Sequence, residues 1–131
     1  MAAPSSIRTP EIVADASVWA AIVFDEPNAA EATARLDGAQ IFAPHLLAFE
    51  LTNIARTKHL RGEAAESTLL QALEWGVTTR IQWMDVDYVG VLGLAISKNL
   101  SAYDASYLWL ARSLNAELVT FDQRLAEAGR E

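Results

Sequence analysis

The sequence predicts an α/β domain built on a parallel sheet, and three observations carry that prediction. Short apolar segments rich in strand formers alternate along the chain with longer segments of helical periodicity. Turn signals such as Asp37-Gly38 and Arg61-Gly62 punctuate the boundaries between them. Composition is globular, with 52% apolar and 21% charged residues in a chain of 131, a length suited to one domain. Strands separated by helices join in parallel through right-handed crossovers.

Residues 1–10 are polar, carry two prolines and read as a flexible N-terminal arm, leaving residues 11–131 as a single domain. Glu11 to Asp15 is a short apolar strand ending in an acid, followed by a helix over Ala16 to Phe24. Asp25-Glu-Pro27 breaks that helix, and a second spans Asn28 to Leu36. Gln40 to Ala43 is the second strand and leads into a helix starting at Pro44, where a first turn tolerates proline. Leu47, Leu51, Ile54 and Ala55 mark that helix's core side, and Glu50 lies on the same stripe. The next helix runs from Glu63 to Trp75, with Gly76 as its expected stop. Thr79 to Met84 alternates with a period of two and is the third strand. Asp87 to Asn99 is a helix with Val89, Leu92, Leu94 and Ile96 as its apolar residues. An apolar helix over Asp104 to Asn115, a strand over Glu117 to Phe121 and a final helical turn or two over Gln123 to Ala128 complete the chain.

Composition narrows the function. A net charge of −7 argues against a broad basic surface for nucleic acid, though bound divalent cations can reverse the sign locally. The absence of cysteine removes disulfide and thiolate chemistry. No eighteen-residue apolar run appears, and Ile12–Phe24 is a poor signal peptide, so a cytoplasmic protein with no membrane segment is expected.

In a parallel α/β sheet, sites form where strands end and helices begin. Asp15 closes the first strand, Asp122 follows the fourth, and Glu50 sits early in the helix leaving the second. Asp104 starts the helix that feeds the fourth strand, which places it at the same edge. Four carboxylates in one place repel one another unless a cation lies between them. Hard oxygen donors suit Mg²⁺ or Mn²⁺ and point to metal-assisted hydrolysis of a phosphodiester. Taken singly, each acid also has an ordinary reading. Asp15 and Asp122 can cap helices, and Ser101-Ala-Tyr-Asp104 matches a capping box. Glu50 has no cap to satisfy, and a buried arginine partner is as good a reading there as a metal. Ser17, Asn53 and Thr120 lie near the acids in sequence and can orient them or hold water.

Val13-Ala-Asp15-Ala-Ser17-Val-Trp19, Pro44-His-Leu-Leu-Ala-Phe-Glu50-Leu-Thr-Asn53, Ser101-Ala-Tyr-Asp104-Ala-Ser-Tyr107 and Leu118-Val-Thr120-Phe-Asp122-Gln-Arg-Leu125 together resemble the PIN-domain ribonucleases. More narrowly, the chain resembles the VapC-type toxins of toxin–antitoxin pairs, from about Ile12 to Leu125. The resemblance implies a three-layer α/β/α PIN-like fold around a central parallel sheet of four or five short strands flanked by helices. It implies a Mg²⁺- or Mn²⁺-dependent endoribonuclease with Asp15, Glu50, Asp104 and Asp122 as metal-binding and catalytic acids. It also implies a cognate VapB-type antitoxin, a transfer or ribosomal RNA substrate, and a homodimer. The family's fifth strand follows the last helix, whereas this sequence ends at Glu131.

Several residues stay secondary. Arg56, Lys58 and Arg61 can contact RNA phosphates, but cations at a helix C-terminus also offset its dipole. Tyr103 is assigned to the core rather than to base stacking, and Trp19, Trp75, Trp83 and Trp109 to core or interface. His45 and His59 show no ligand spacing. Two other functions remain: a PIN-fold protein without a toxin role, as housekeeping nuclease or inactive binding module, and a phospho-acceptor receiver domain. The receiver reading is poor, because Ala16 stands where a second acid belongs and no lysine follows Lys98.

Overall fold

The computed structural model of the protein describes residues 9–131. The expected arm therefore lies mostly outside the described residues, and where it is described, the Pro10 carbonyl accepts a hydrogen bond from the Gln40 N–H at 2.9 Å. Four strands, β1 (Glu11–Ala14), β2 (Gln40–Pro44), β3 (Ile81–Met84) and β4 (Glu117–Val119), form one sheet in the order β3-β2-β1-β4. All three pairings are parallel, with Val13 beside Phe42 on one side and Leu118 on the other.

The helices among the described residues are α1 (Ala16–Val23), α2 (Ala29–Leu36), α3 (Leu46–Leu60), α4 (Glu66–Thr78), α5 (Tyr88–Lys98), α6 (Ala102–Leu114) and α7 (Gln123–Arg130). Helix α1 packs on α2, α3 and α4, while α6 lies against β1, β2 and β4 with α5 and α7 at its flanks. The main core joins Val13, Trp19, Leu36, Ile41, Leu47, Leu51, Tyr107, Leu108 and Leu125, all at most 2% exposed. Burial of β1 and β2 on both faces explains their near-continuous apolar runs. Helices α5 and α6 stop at Asn99 (φ 54°) and Asn115 (φ 53°), left-handed caps that asparagine adopts more readily than most residues.

Three expectations, on Pro44, Gly76 and Tyr103, are corrected. Pro44 ends β2, opposite Met84, rather than opening α3. Both positions dispense with an N–H donor, so proline alone does not choose between them. Gly76 does not stop α4 but lies inside it, where a Cβ would stand 2.7 Å from Val23 Cγ2. Its carbonyl accepts from Trp19 Nε1 at 2.9 Å, so this glycine allows α4 to approach α1 closely. On α5, Val91 and Ala95 are buried, whereas Val89 and Ile96 are 80% and 73% exposed. Val91 and Ala95 face α6, Leu94 packs at the edge of the main core, and Val89, Leu92 and Ile96 stay exposed. Tyr103 is exposed rather than a core residue, and Trp75, expected in core or interface, is partly exposed and stacks on Trp19 at 5.6 Å.

Candidate active site

The turns that follow β1 and β4 lie side by side because these strands are neighbours. Asp15 is the first residue after β1 and is 6% exposed. It caps α1, with Oδ1 accepting from the Val18 N–H at 3.3 Å and from Ser17 Oγ at 2.6 Å. Its other oxygen, Oδ2, accepts from Thr120 Oγ1 at 2.5 Å. Thr120 Oγ1 also accepts from the Asp122 N–H at 2.9 Å, and Ser17 Oγ accepts from the Phe121 N–H at 2.9 Å. Two hydroxyls thus fix both oxygens of one carboxylate and tie the two turns together. Asp122 caps α7 through Oδ1, which accepts from the Leu125 N–H at 2.9 Å. Helix starts favour negative charge, so capping and a role in an acidic site are compatible at these positions.

Asp104 is in the first turn of α6, and its N–H donates to the Ser101 hydroxyl at 3.0 Å. Glu50 is half-buried on α3, and its Oε1 accepts from the Tyr107 hydroxyl. Acids from four separate stretches come within electrostatic reach of one another. Burial raises the pKa of Glu50 above its ordinary value, and the Asp15 and Asp104 charges add to that while the Tyr107 hydrogen bond opposes it. Burial also raises Asp104, helped by Asp122 and Asp15 and opposed by Arg124. Asp15 is raised by burial too, against the pull of its Ser17 and Thr120 hydrogen bonds. The Arg124 guanidinium donates to the Asn99 carbonyl at 2.7 Å, and no salt bridge to Glu50 forms among the described residues.

Charge held up in this way is relieved by a cation placed among the carboxylates. As they stand, no three acid or histidine side chains among the described residues form a ready ligand set. An all-protein cage is therefore a poor fit. A hydrated Mg²⁺ or Mn²⁺ fits better, because such ions keep several waters and need only one or two carboxylates directly. Asp15, Glu50, Asp104 and Asp122 are the residues that could hold one.

Of the supporting residues expected from sequence, Ser17 and Thr120 join the acids and Asn53 does not. Asn53 is exposed and lines a shallow groove with Glu26, Lys58 and Arg61. Three residues turn a helix by about 300°, and the remaining offset of about 60° carries Asn53 away from Glu50. The basic residues are also distant, at the far end of α3. Lys58 pairs with Glu26 at 3.0 Å and Glu63 at 3.6 Å, Arg61 reaches Glu63 at 3.9 Å, and Arg56 lies in the groove between α3 and α4. Two residues near the acids had no role assigned from the sequence. Tyr107 ends the motif that begins at Ser101, three positions after Asp104, and Arg124 lies within the Leu118–Leu125 motif, two after Asp122.

Comparison with known proteins agrees with this architecture. The PIN domain family matches residues 12–131. Ribonuclease VapC9 of Mycobacterium tuberculosis is 34% identical over 125 residues, covering 91% of each chain. Ribonuclease VapC3 of Pyrobaculum aerophilum is 29% identical over 122 residues, covering 89% of this chain and 93% of the relative. Among solved structures, a Pyrobaculum aerophilum protein superposes with a TM-score of 0.72 at 22% identity, over 91% of this chain and 86% of that one. VapC20 of Mycobacterium tuberculosis, a toxin that cleaves the sarcin–ricin loop, gives 0.67 at 18% identity over 90% and 95%. With these matches spanning nearly the whole described chain, the protein belongs to the PIN-domain family, as a ribonuclease of the VapC type.

Proposed function

We propose that the protein is a metal-dependent endoribonuclease and the toxin of a toxin–antitoxin pair, acting in the cytoplasm. The observation that carries this reading is the convergence of Asp15, Glu50, Asp104 and Asp122 at one end of the sheet, with burial raising the first three and neighbouring carboxylates raising Glu50 and Asp104 further. Mg²⁺ or Mn²⁺, when bound, would stabilise charge on the scissile phosphate and make water a stronger nucleophile. The chain's own residues do the positioning. Ser17 and Thr120 lock the Asp15 carboxylate, and Asp122 is pinned by the α7 cap. Asp104 stands on the rigid first turn of α6. Arg124, beside Asp104 at the α7 entrance, is placed to meet a backbone phosphate.

The substrate is structured RNA, transfer or ribosomal, selected by loop shape rather than by a base-reading motif. A VapB-type antitoxin is the partner that silences it. Purified protein should cleave transfer or ribosomal RNA with Mg²⁺ or Mn²⁺, stop on chelation and recover on re-addition of the ion. Cleavage that survives chelation would overturn the metal-dependent reading. Expression should arrest growth, and co-expression of the neighbouring gene product should relieve it. Growth unaffected by expression would favour a housekeeping nuclease instead.

The chain pairs with a second copy in this reading. Support comes from the exposed large apolar side chains Phe49, Tyr88, Val89, Leu92 and Ile96, of the kind that interaction surfaces gather. Sedimentation equilibrium should give twice the chain mass at micromolar concentration, and Ile96→Lys should shift it toward one. A single-chain mass for the unmodified protein would remove the dimer.

A further inference from the structure

Glu50 presents a problem that the other three acids do not. Asp15 and Asp122 are anchored as helix caps, and Asp104 stands in a first turn with its backbone tied to Ser101. Glu50 is in the second turn of α3, on the stripe that buries Leu47 and Leu51, and its longer side chain has one more torsion to restrain. No cap is available there, and no cation pairs with it among the described residues. Among the described residues, the one group that holds it is the Tyr107 hydroxyl, 57 positions away in sequence.

Tyr107 is well placed to act as an anchor. Its ring is 1% exposed and belongs to the main core, so the hydroxyl has a fixed position. It is three residues after Asp104 on α6, so a single rigid helix carries one acid of the site and the support of another. A buried phenol needs an acceptor, and a half-buried carboxylate on an apolar stripe needs a donor; this contact answers both. It engages Oε1 and leaves Oε2 without a hydrogen-bond donor among the described residues.

We propose that Tyr107 is a positioning residue of the acidic site, holding Glu50 by Oε1 so that Oε2 remains available to a divalent cation. This rests on reading the four acids as a cation site. The alternative is that the contact only satisfies two buried polar groups and serves the fold. The two diverge once the hydroxyl is removed. An anchor acts through Glu50 alone, whereas a merely structural bond acts through the packing of α3 on α6.

Calorimetric titration of the metal-free full chain with Mn²⁺ separates them. Tyr107→Phe keeps the ring and removes the donor; it should weaken Mn²⁺ binding about tenfold or more, as loss of support for a metal ligand does. In RNA cleavage the same change should lower kcat with little effect on KM. In a Glu50→Ala background, Tyr107→Phe should have no further effect on Mn²⁺ affinity. Equal affinity in the unmodified protein and Tyr107→Phe overturns the proposal, and so does an equal loss in both backgrounds. Glu50→Asp probes the same bond from the carboxylate side should Tyr107→Phe fail to fold. Its shorter side chain loses the hydroxyl and should show the same weakening; retained affinity there counts against the anchor. Asp104→Asn is the control for the underlying reading. If the unmodified protein takes up no Mn²⁺, or Asp104→Asn takes it up equally well, the cation site itself fails and the proposal falls with it.

Discussion

Asp104→Asn should leave the fold intact and reduce RNA cleavage by more than about a hundredfold, beyond what loss of a supporting group costs a metal site. The substitution is a clean one. Asparagine keeps the shape, and the backbone N–H of residue 104, which donates to the Ser101 hydroxyl at 3.0 Å, is unchanged, so the start of α6 survives. What disappears is one negative charge from a site where Asp104 interacts with Asp122 and Asp15. With that repulsion reduced, the metal-free protein should melt no lower than the parent. Asp15→Asn tests the same idea less cleanly, because Asp15 Oδ2 accepts from Thr120 and an amide nitrogen there would face a donor. Gel assays in Mg²⁺, with thermal melts of both proteins in chelator, read the two effects separately. An Asp104→Asn protein that is folded and fully active would remove Asp104 from the reaction.

Glu50→Gln should stabilise the metal-free protein near neutral pH by about 0.5–2 kcal/mol while weakening its activity, the trade expected where a site is built from mutually repelling groups. The substituted glutamine would still accept from Tyr107 through its carbonyl oxygen and would add no charge beside Asp15 and Asp104. The pH dependence gives the sign. Asp15, Glu50 and Asp104 all have folded-state pKa values above their ordinary 3.8, 4.5 and 3.8. Between those ordinary values and the raised ones, the folded protein holds protons that the unfolded chain has released. Stability contributed by these three groups therefore falls as pH rises through that window. A cation that binds the ionised acids should restore it, more strongly as pH rises and protons cease to compete. Melts in chelator across pH should show the Glu50→Gln advantage shrinking toward acid pH and vanishing once Glu50 is protonated in both states. An advantage that is constant with pH, or a variant that is less stable near neutrality, would contradict the assignment of Glu50 to the charged cluster.

The order of elements was legible in the sequence because each boundary carries its own local chemistry. Asn99 and Asn115 close α5 and α6 with left-handed caps, and Ser101 opens α6 with a side-chain acceptor. The acids were legible through topology, since strand ends and helix starts in a parallel sheet share an edge. Residues with two local roles were harder. Pro44 fits a strand end as well as a first helical turn, and Gly76 fits a close approach to Val23 as well as a stop. Hydropathy showed that α5 has a large apolar stripe, but periodicity says only where that stripe is, not what covers it. The structure turns Val89 and Ile96 outward and buries Val91 and Ala95 instead. Tyr107 had no legible role, because a tyrosine in an apolar helix reads as packing until its hydroxyl is seen against Glu50. Sequence approaches that contact only from the Glu50 side, where a carboxylate on an apolar stripe demands a polar partner and a cation is the first candidate.

The tie between the β1 and β4 turns bears on when this protein can become active. Thr120 and Asp15 are 105 residues apart, and Ser17 and Thr120 are 103 apart. Until β4 pairs with β1, β1 is an edge strand and the Oδ2 oxygen of Asp15 lacks its donor. Asp122 arrives with the same segment. Closing so long a loop comes late on entropic grounds, and β4 is the last strand of this sheet to be synthesised. The nascent chain can therefore assemble α1 to α6 while its acidic site is still in two pieces. On the proposed reading of the four acids, cleavage would wait for β4 to dock, so the site would be completed only near the end of translation.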